Sequence, residues 1–251
     1  MKLEDRVAVV TGGGRNVGQA IARRCVAEGA RVAVVDLDVA RGTATTDELN
    51  ARRAGSARFV CCDVSKSDEV QRMVAGVVDA FGAVDILVNN VAISDRGRTV
   101  LDLDEDLWHT VLGVTLDSVF LCSKYVARQM VDQGRGGVIV NIGSTSGHRG
   151  RANATAYSAA KGAVVNLTRS LAAQLGPHGI RVNTVTPNKV GSPVGEDVEP
   201  ADRKRANLLG RGAVPDDIAN AVCFVASDEA SFVTASDVLV DGGALYGGAV
   251  E

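Results

Sequence analysis

Five times before residue 161, a short run dominated by apolar residues stops at a polar residue or a glycine and hands over to a helix-length stretch. The runs lie at 7–10, 31–35, 58–62, 85–89 and 138–142. Strands that do not alternate polar with apolar positions are buried on both faces, the condition of a parallel sheet covered by helices. Helical patterns are read at 19–28, 39–54, 66–81, 104–133, from about 155, and at 216–227, with further strands at 180–186 and 237–240. Strand and helix alternate with no linker, repeat or low-complexity segment between them. The expected fold is therefore α/β, a Rossmann-type doubly wound parallel sheet in one domain spanning 1–251.

Open α/β sheets bind ligands at the carboxyl ends of their strands. The run 138–142 ends there in Gly143 and Ser144. The helical pattern that follows carries Tyr157 and Lys161, four positions apart and so on one helix face. A phenol titrates near pKa ~10, too high for efficient proton exchange at neutral pH, and an ammonium beside it would favour phenolate. Tyr157 with Lys161 thus reads as a general acid/base, and Ser144 as a donor to a substrate oxygen. The plainer alternative is an ordinary surface pair.

Before these elements, Thr11-Gly12-Gly13-Gly14-Arg15-Asn16-Val17-Gly18 joins the first strand to the first helix. Absent side chains let backbone approach a pyrophosphate, which a helix N-terminus then attracts. Asp36, at the end of the second strand and followed by Leu37-Asp38, suits the ribose hydroxyls of NAD and repels a 2′-phosphate. Arg15 pulls the other way, unless it is solvated or stacks on the adenine. NAD is expected over NADP.

Ser144, lying 13 positions before Tyr157, together with Lys161 resembles the active site of the classical short-chain dehydrogenase/reductase family. The glycine turn resembles that family's T-G-x-x-x-G-x-G, with Asn16 in place of the middle glycine; Asn tolerates a left-handed backbone. The resemblance implies that Gly12, Arg15, Asn16, Val17, Gly18, Asp36 and Leu37 meet the dinucleotide. It implies that Asp63-Val64 face the adenine and that Asn90-Val91-Ala92, where the family has N-A-G after its first Asn, pass beneath the ribose. Pro187-Asn188-Lys189-Val190-Gly191-Ser192 resembles the segment beside the nicotinamide, with Asn188 for a glycine and Ser192 for a threonine; Pro187, Asn188, Val190 and Ser192 are the expected contacts. Tyr157 and Lys161 are implied to touch the cofactor too. Thr115 stands where the family places an Asn that supports a water chain to the Lys. Asp241-Gly242-Gly243 resembles the C-terminal V-D-G-G. The implied activity is NAD(H)-dependent interconversion of a secondary alcohol and a ketone. Two rivals are an enoyl reductase of the same fold, whose Tyr and Lys the family spaces more widely, and a dinucleotide-binding regulator or structural subunit without turnover.

A net charge of −3 gives no basic field for nucleic acid. Five cysteines show no metal-ligand spacing, their odd count argues against a disulfide framework, and Cys61-Cys62 is expected in the core. No signal-peptide pattern and no membrane-length apolar run are read, so the cytosol is expected and no membrane partner. Apolar positions on several faces of 104–133 and 155–175, such as Val119, Phe120, Tyr125, Val126, Val164, Val165 and Leu167, suggest subunit packing. Similar proteins pair these helices, which implies a homotetramer. Residues 191–212 read as a substrate lid. His148, Arg149, Arg151 and Lys189 could draw an anionic substrate to the mouth, or could be solvated or paired with Asp95 and Glu196.

Overall fold

A computed structural model describes residues 1–95, 97–191, 194 and 207–247. In chain order the elements are β1 (Val7–Thr11), α1 (Asn16–Ala27), β2 (Arg31–Asp36), α2 (Val39–Arg52), β3 (Ala57–Cys61), α3 (Ser67–Phe81) and β4 (Ile86–Asn89). There follow α4 (Glu105–Leu112), a π turn (Gly113–Asp117), α5 (Ser118–Gln133), β5 (Gly137–Ile142), α6 (Thr155–Leu175), β6 (Ile180–Pro187), α7 (Pro215–Ala226) and β7 (Asp237–Val240). The strands form one sheet in the order β3-β2-β1-β4-β5-β6-β7. Every pairing is parallel, as the uniformly apolar runs require.

β1 feeds two cores. Ala8 and Val10 of β1 face a cluster that includes Ile21 of α1 and Val222 of α7. Val7 and Val9 face the other side, with Val74 of α3, Val126 of α5 and Ala172 of α6. Full burial of a valine side chain contributes about 1.5–3 kcal/mol, so a strand with no polar position on either face is strongly held in the middle layer. Strand order reverses between β1 and β4, and their carboxyl ends open a crevice there.

The stretch 104–133 is not one helix. A π turn interrupts it, and within that turn Thr115 is fully buried. Its hydroxyl accepts from the Ile93 amide and donates to the Ile93 carbonyl, both at 3.1 Å. That exchange with the loop after β4 accounts for the altered winding. Contrary to the sequence expectation, Glu105–Gln133 is long and apolar enough to cross a membrane by length and composition. In this fold its apolar residues Val119, Cys122, Val126 and Met130 are buried, with the last three packed in the core beside β4 and β5. Cys61 also departs from expectation: it ends an edge strand and is exposed, while Cys62 is buried.

Candidate active site

The glycine turn is built to admit backbone and nothing else. A Cβ on Gly18 would lie 2.0 Å from the Gly12 carbonyl oxygen, and one on Gly12, at φ 62°, would lie 2.9 Å from Asn90 Nδ2. Asn16 has φ 47°, the left-handed conformation expected of a glycine substitute. Asn90 ties the loop after β4 to this turn: its amide N–H donates to Thr11 Oγ1 at 2.9 Å, and its side chain donates to the Thr11 carbonyl at 3.0 Å. Val91 packs on Gly12, where a Cβ would come within 3.2 Å of it. A cradle that a single methyl would fill fits a dinucleotide.

At the end of β2, Asp36 is held by two main-chain donors. Gly14 N–H donates to Oδ2 at 2.9 Å and Asp38 N–H to Oδ1 at 3.0 Å. Asp38 in turn caps α2 through the Arg41 amide and pairs with the Arg41 guanidinium at 3.2 Å. Arg15 occupies the N-cap position of α1, beside Gly14. Leu37 is exposed. Asp63 engages its own neighbour, accepting from the Ser65 hydroxyl at 2.6 Å, and Val64 is buried.

β5 delivers Ser144 to the same sheet edge, and α6 returns Tyr157 and Lys161 against it. All three are buried. Gly147 allows the approach, because a Cβ there would fall 2.7 Å from the Lys161 carbonyl. The Ser144 hydroxyl oxygen accepts from Ser146 N–H at 3.1 Å, which leaves its proton to donate.

The electrostatics differ from the sequence expectation. Lys161 Nζ donates to the Ile142 carbonyl at 2.6 Å and lies 5.9 Å from the Tyr157 ring centroid. The Tyr157 phenol is raised above its ordinary value, because burial outweighs a hydrogen bond with Ser144 and the positive charge of Arg151. Arg151 adds a positive charge that acts on the phenol, while the Lys161 ammonium is turned to the Ile142 carbonyl. Burial pushes the Lys161 ammonium down to about 8.

Pro187 and Asn188 are half-buried and Val190 is buried against the core, bridging to Ala213. Asn188 was expected to supply glycine-like backbone, but the left-handed residue is Lys189, at φ 47°. Asn188 contributes its side chain instead: Oδ1 accepts from Thr145 Oγ1 at 3.0 Å and from Arg151 Nη2 at 3.1 Å. Asn16 faces this segment too, since a Cβ on Gly191 would lie 2.7 Å from its Oδ1. Ser192 and most of the expected lid fall outside the described residues. Of the four basic side chains at the mouth, His148 pairs with Asp237 at 2.7 Å and Arg149 is exposed. Arg151 points inward, donating to Thr145 Oγ1 at 3.1 Å.

Asp95 is not a partner for that basic loop. It is fully buried and accepts from the main-chain amides of Ala156, at 2.5 Å, and Tyr157, at 2.8 Å. One signal pointed to it in advance: the α6 N-cap is Ala154, a residue without a side-chain acceptor, so the helix had to find one elsewhere.

A family profile described as Enoyl-(Acyl carrier protein) reductase matches residues 12–244. An L-rhamnose 1-dehydrogenase (NAD(P)(+)) of Azotobacter vinelandii is 37% identical over 97% of this chain and 98% of its own. A meso-2,3-butanediol dehydrogenase of Serratia marcescens is 38% identical over 97% of this chain and 96% of its own. The crystal structure of a short chain dehydrogenase from Mycobacterium smegmatis superposes with a TM-score of 0.85 at 33% identity, over 95% of this chain and 92% of that one.

Proposed function

The chain belongs to the short-chain dehydrogenase/reductase family, and from that premise we propose that it interconverts a secondary alcohol and a ketone with NAD(H). The observation that carries this reading is the convergence of Ser144, Tyr157 and Lys161 in one buried corner, with Lys161 Nζ 5.9 Å from the Tyr157 ring centroid. A bound dinucleotide would supply the nicotinamide as hydride acceptor or donor. The glycine turn, Asp36 and the segment Pro187 to Val190 are the residues that would hold it. Tyr157 takes the carbinol proton in oxidation and returns it in reduction, while Ser144 donates to the same oxygen. Lys161, with its pKa at about 8, keeps its proton at neutral pH and supplies positive charge one helical turn below. The regulator reading would need a lost Tyr or Lys, and the enoyl reductase reading a wider spacing than the four residues found here.

Asp36 supports NAD over NADP: its carboxylate is fixed at the strand end by two amides, and a 2′-phosphate there would meet that charge. The test is kcat/KM with each cofactor across a panel of alcohols and ketones. Equal or better use of NADP overturns the preference, and an inert panel counts against the activity itself.

Arg151 favours a substrate with an anionic group, since it is drawn into the corner by Thr145 and Asn188. Arg151→Ala is expected to raise KM for a keto acid about tenfold and to leave KM for a neutral ketone unchanged. Assembly as a homotetramer accords with two separate apolar faces. Phe120, Leu171 and Leu175 line a groove between α5 and α6, while Phe224 of α7 and the fully exposed Phe232 stand at the β7 end. Light scattering should return about four times the chain mass of 26.0 kDa; a monomer mass at micromolar concentration excludes it.

A further inference from the structure

We propose that Asp95 is a positioning residue for Tyr157, supplying in trans the cap that α6 lacks and fixing the catalytic phenol relative to the dinucleotide cradle. The inference rests on the reading of Tyr157 as the proton-transfer group.

The first turn of any helix presents amides with no partner inside the helix. In α6 those amides belong to the turn that carries Tyr157, and Ala154 offers them nothing. Asp95 reaches them from a different part of the chain, 61 and 62 residues earlier, and divides its two oxygens between Ala156 and Tyr157. A carboxylate can only accept, so both oxygens face the donors correctly, and the positive end of the helix compensates the buried charge. The hydrogen bond to the Tyr157 amide fixes the backbone from which the phenol projects.

What Asp95 is attached to gives the contact a role beyond capping. It closes a six-residue loop with three anchors. Asn90 is bonded to Thr11 of the glycine turn, Ile93 to Thr115 of the π turn, and Asp95 to α6. The backbone beneath the expected cofactor is thus bolted to the residue that exchanges the proton. Displacements of about 1 Å at a reacting centre cost on the order of 10²-fold in rate, so a rigid path between the two is functionally significant. The carboxylate also offsets the positive helix terminus behind the phenol. The other groups facing Tyr157 are Lys161, Arg151 and the Ser144 hydroxyl.

Asp95→Asn keeps the shape but sets an NH2 against one of the two amides and removes the charge. The expected result is a kcat lower by roughly 10- to 100-fold, NAD dissociation constant within about twofold by fluorescence titration, and the acid limb of the oxidative kcat profile moved to lower pH. The shift follows because losing the carboxylate leaves the positive end of α6, which carries Tyr157, uncompensated, and that favours phenolate. Should that variant not fold, Asp95→Ser provides a neutral, shorter acceptor for the same measurements. A kcat within twofold of wild type overturns the proposal, as does an unmoved limb with NAD affinity lost in parallel, which would reduce Asp95 to a stabilising cap. If Tyr157→Phe retains full activity, the underlying reading has failed instead.

Discussion

Replacing Tyr157 with Phe should lower kcat by about 10²- to 10⁴-fold and leave NAD affinity within about a factor of two. The substitution removes one oxygen and keeps the ring in its apolar setting, beside Val111 and Ala156. No cavity opens, and the glycine cradle is untouched, so any loss is a loss of proton exchange. Steady-state rates in both directions, with a fluorescence titration of NAD, separate the two quantities. Retention of more than a tenth of wild-type kcat would remove Tyr157 from its assigned role. The wild-type pH dependence follows from the same group. Oxidation needs phenolate and reduction needs phenol, and burial raises the phenol in this structure. Oxidative kcat therefore rises with pH through the Tyr157 titration, and reductive kcat falls through it.

Gly18→Ala should be nearly as damaging, for a steric reason. The added Cβ would lie 2.0 Å from the Gly12 carbonyl oxygen, 2.7 Å from Asn90 Nδ2 and 2.8 Å from the Gly12 carbonyl carbon. Two of those atoms are main chain and cannot step aside as a flexible side chain would. Forcing them apart costs about 1–3 kcal/mol or more of stability and opens the turn whose closeness suits a pyrophosphate. NAD affinity should fall by on the order of 10²-fold, with a lower Tm. Gly76→Ala is the natural control, because a Cβ there meets nothing within 4 Å and the position is inside α3. It should stabilise by about 0.5–1 kcal/mol. Wild-type NAD affinity in Gly18→Ala would mean that the cradle is not where the dinucleotide sits.

The sheet was legible in the sequence because burial on both faces leaves its mark in single strands, as at residues 7–10 and 138–142, without reference to any partner. The corner formed by Ser144, Tyr157 and Lys161 was legible because a strand end and a helix face are both local, and because the spacing of the three resembles the family's active site. What the sequence concealed depends on contacts between distant segments. Asp95 reads as one acid among many until α6 is placed on it. The π turn depends on a hydroxyl meeting a backbone 22 residues earlier. The inward turn of Arg151 was hidden for a similar reason, since no spacing rule states that a loop guanidinium will reach Thr145 and Asn188, or that Lys161 Nζ will turn to the Ile142 carbonyl. Asn188 looked like a stand-in for glycine, yet its amide oxygen receives two donors and Lys189 takes the unusual backbone.

The π turn at Gly113–Asp117 also sets what kind of change the chain can inherit. A π turn holds one residue more than the α-helical path around it. Losing one residue there would let the path close into an ordinary α-helix, with α4 still in register with α5. Val111, Leu107 and Trp108, which pack around Tyr157, would then keep their places on that wall, and the contact at stake would be that of Thr115 with the Ile93 backbone. Descendants of this chain can remodel the α4 wall by exchanging one residue for another, and so drift among substrates. A change of one residue in length is open to them as well, because the turn can absorb it between two helices that stay in register.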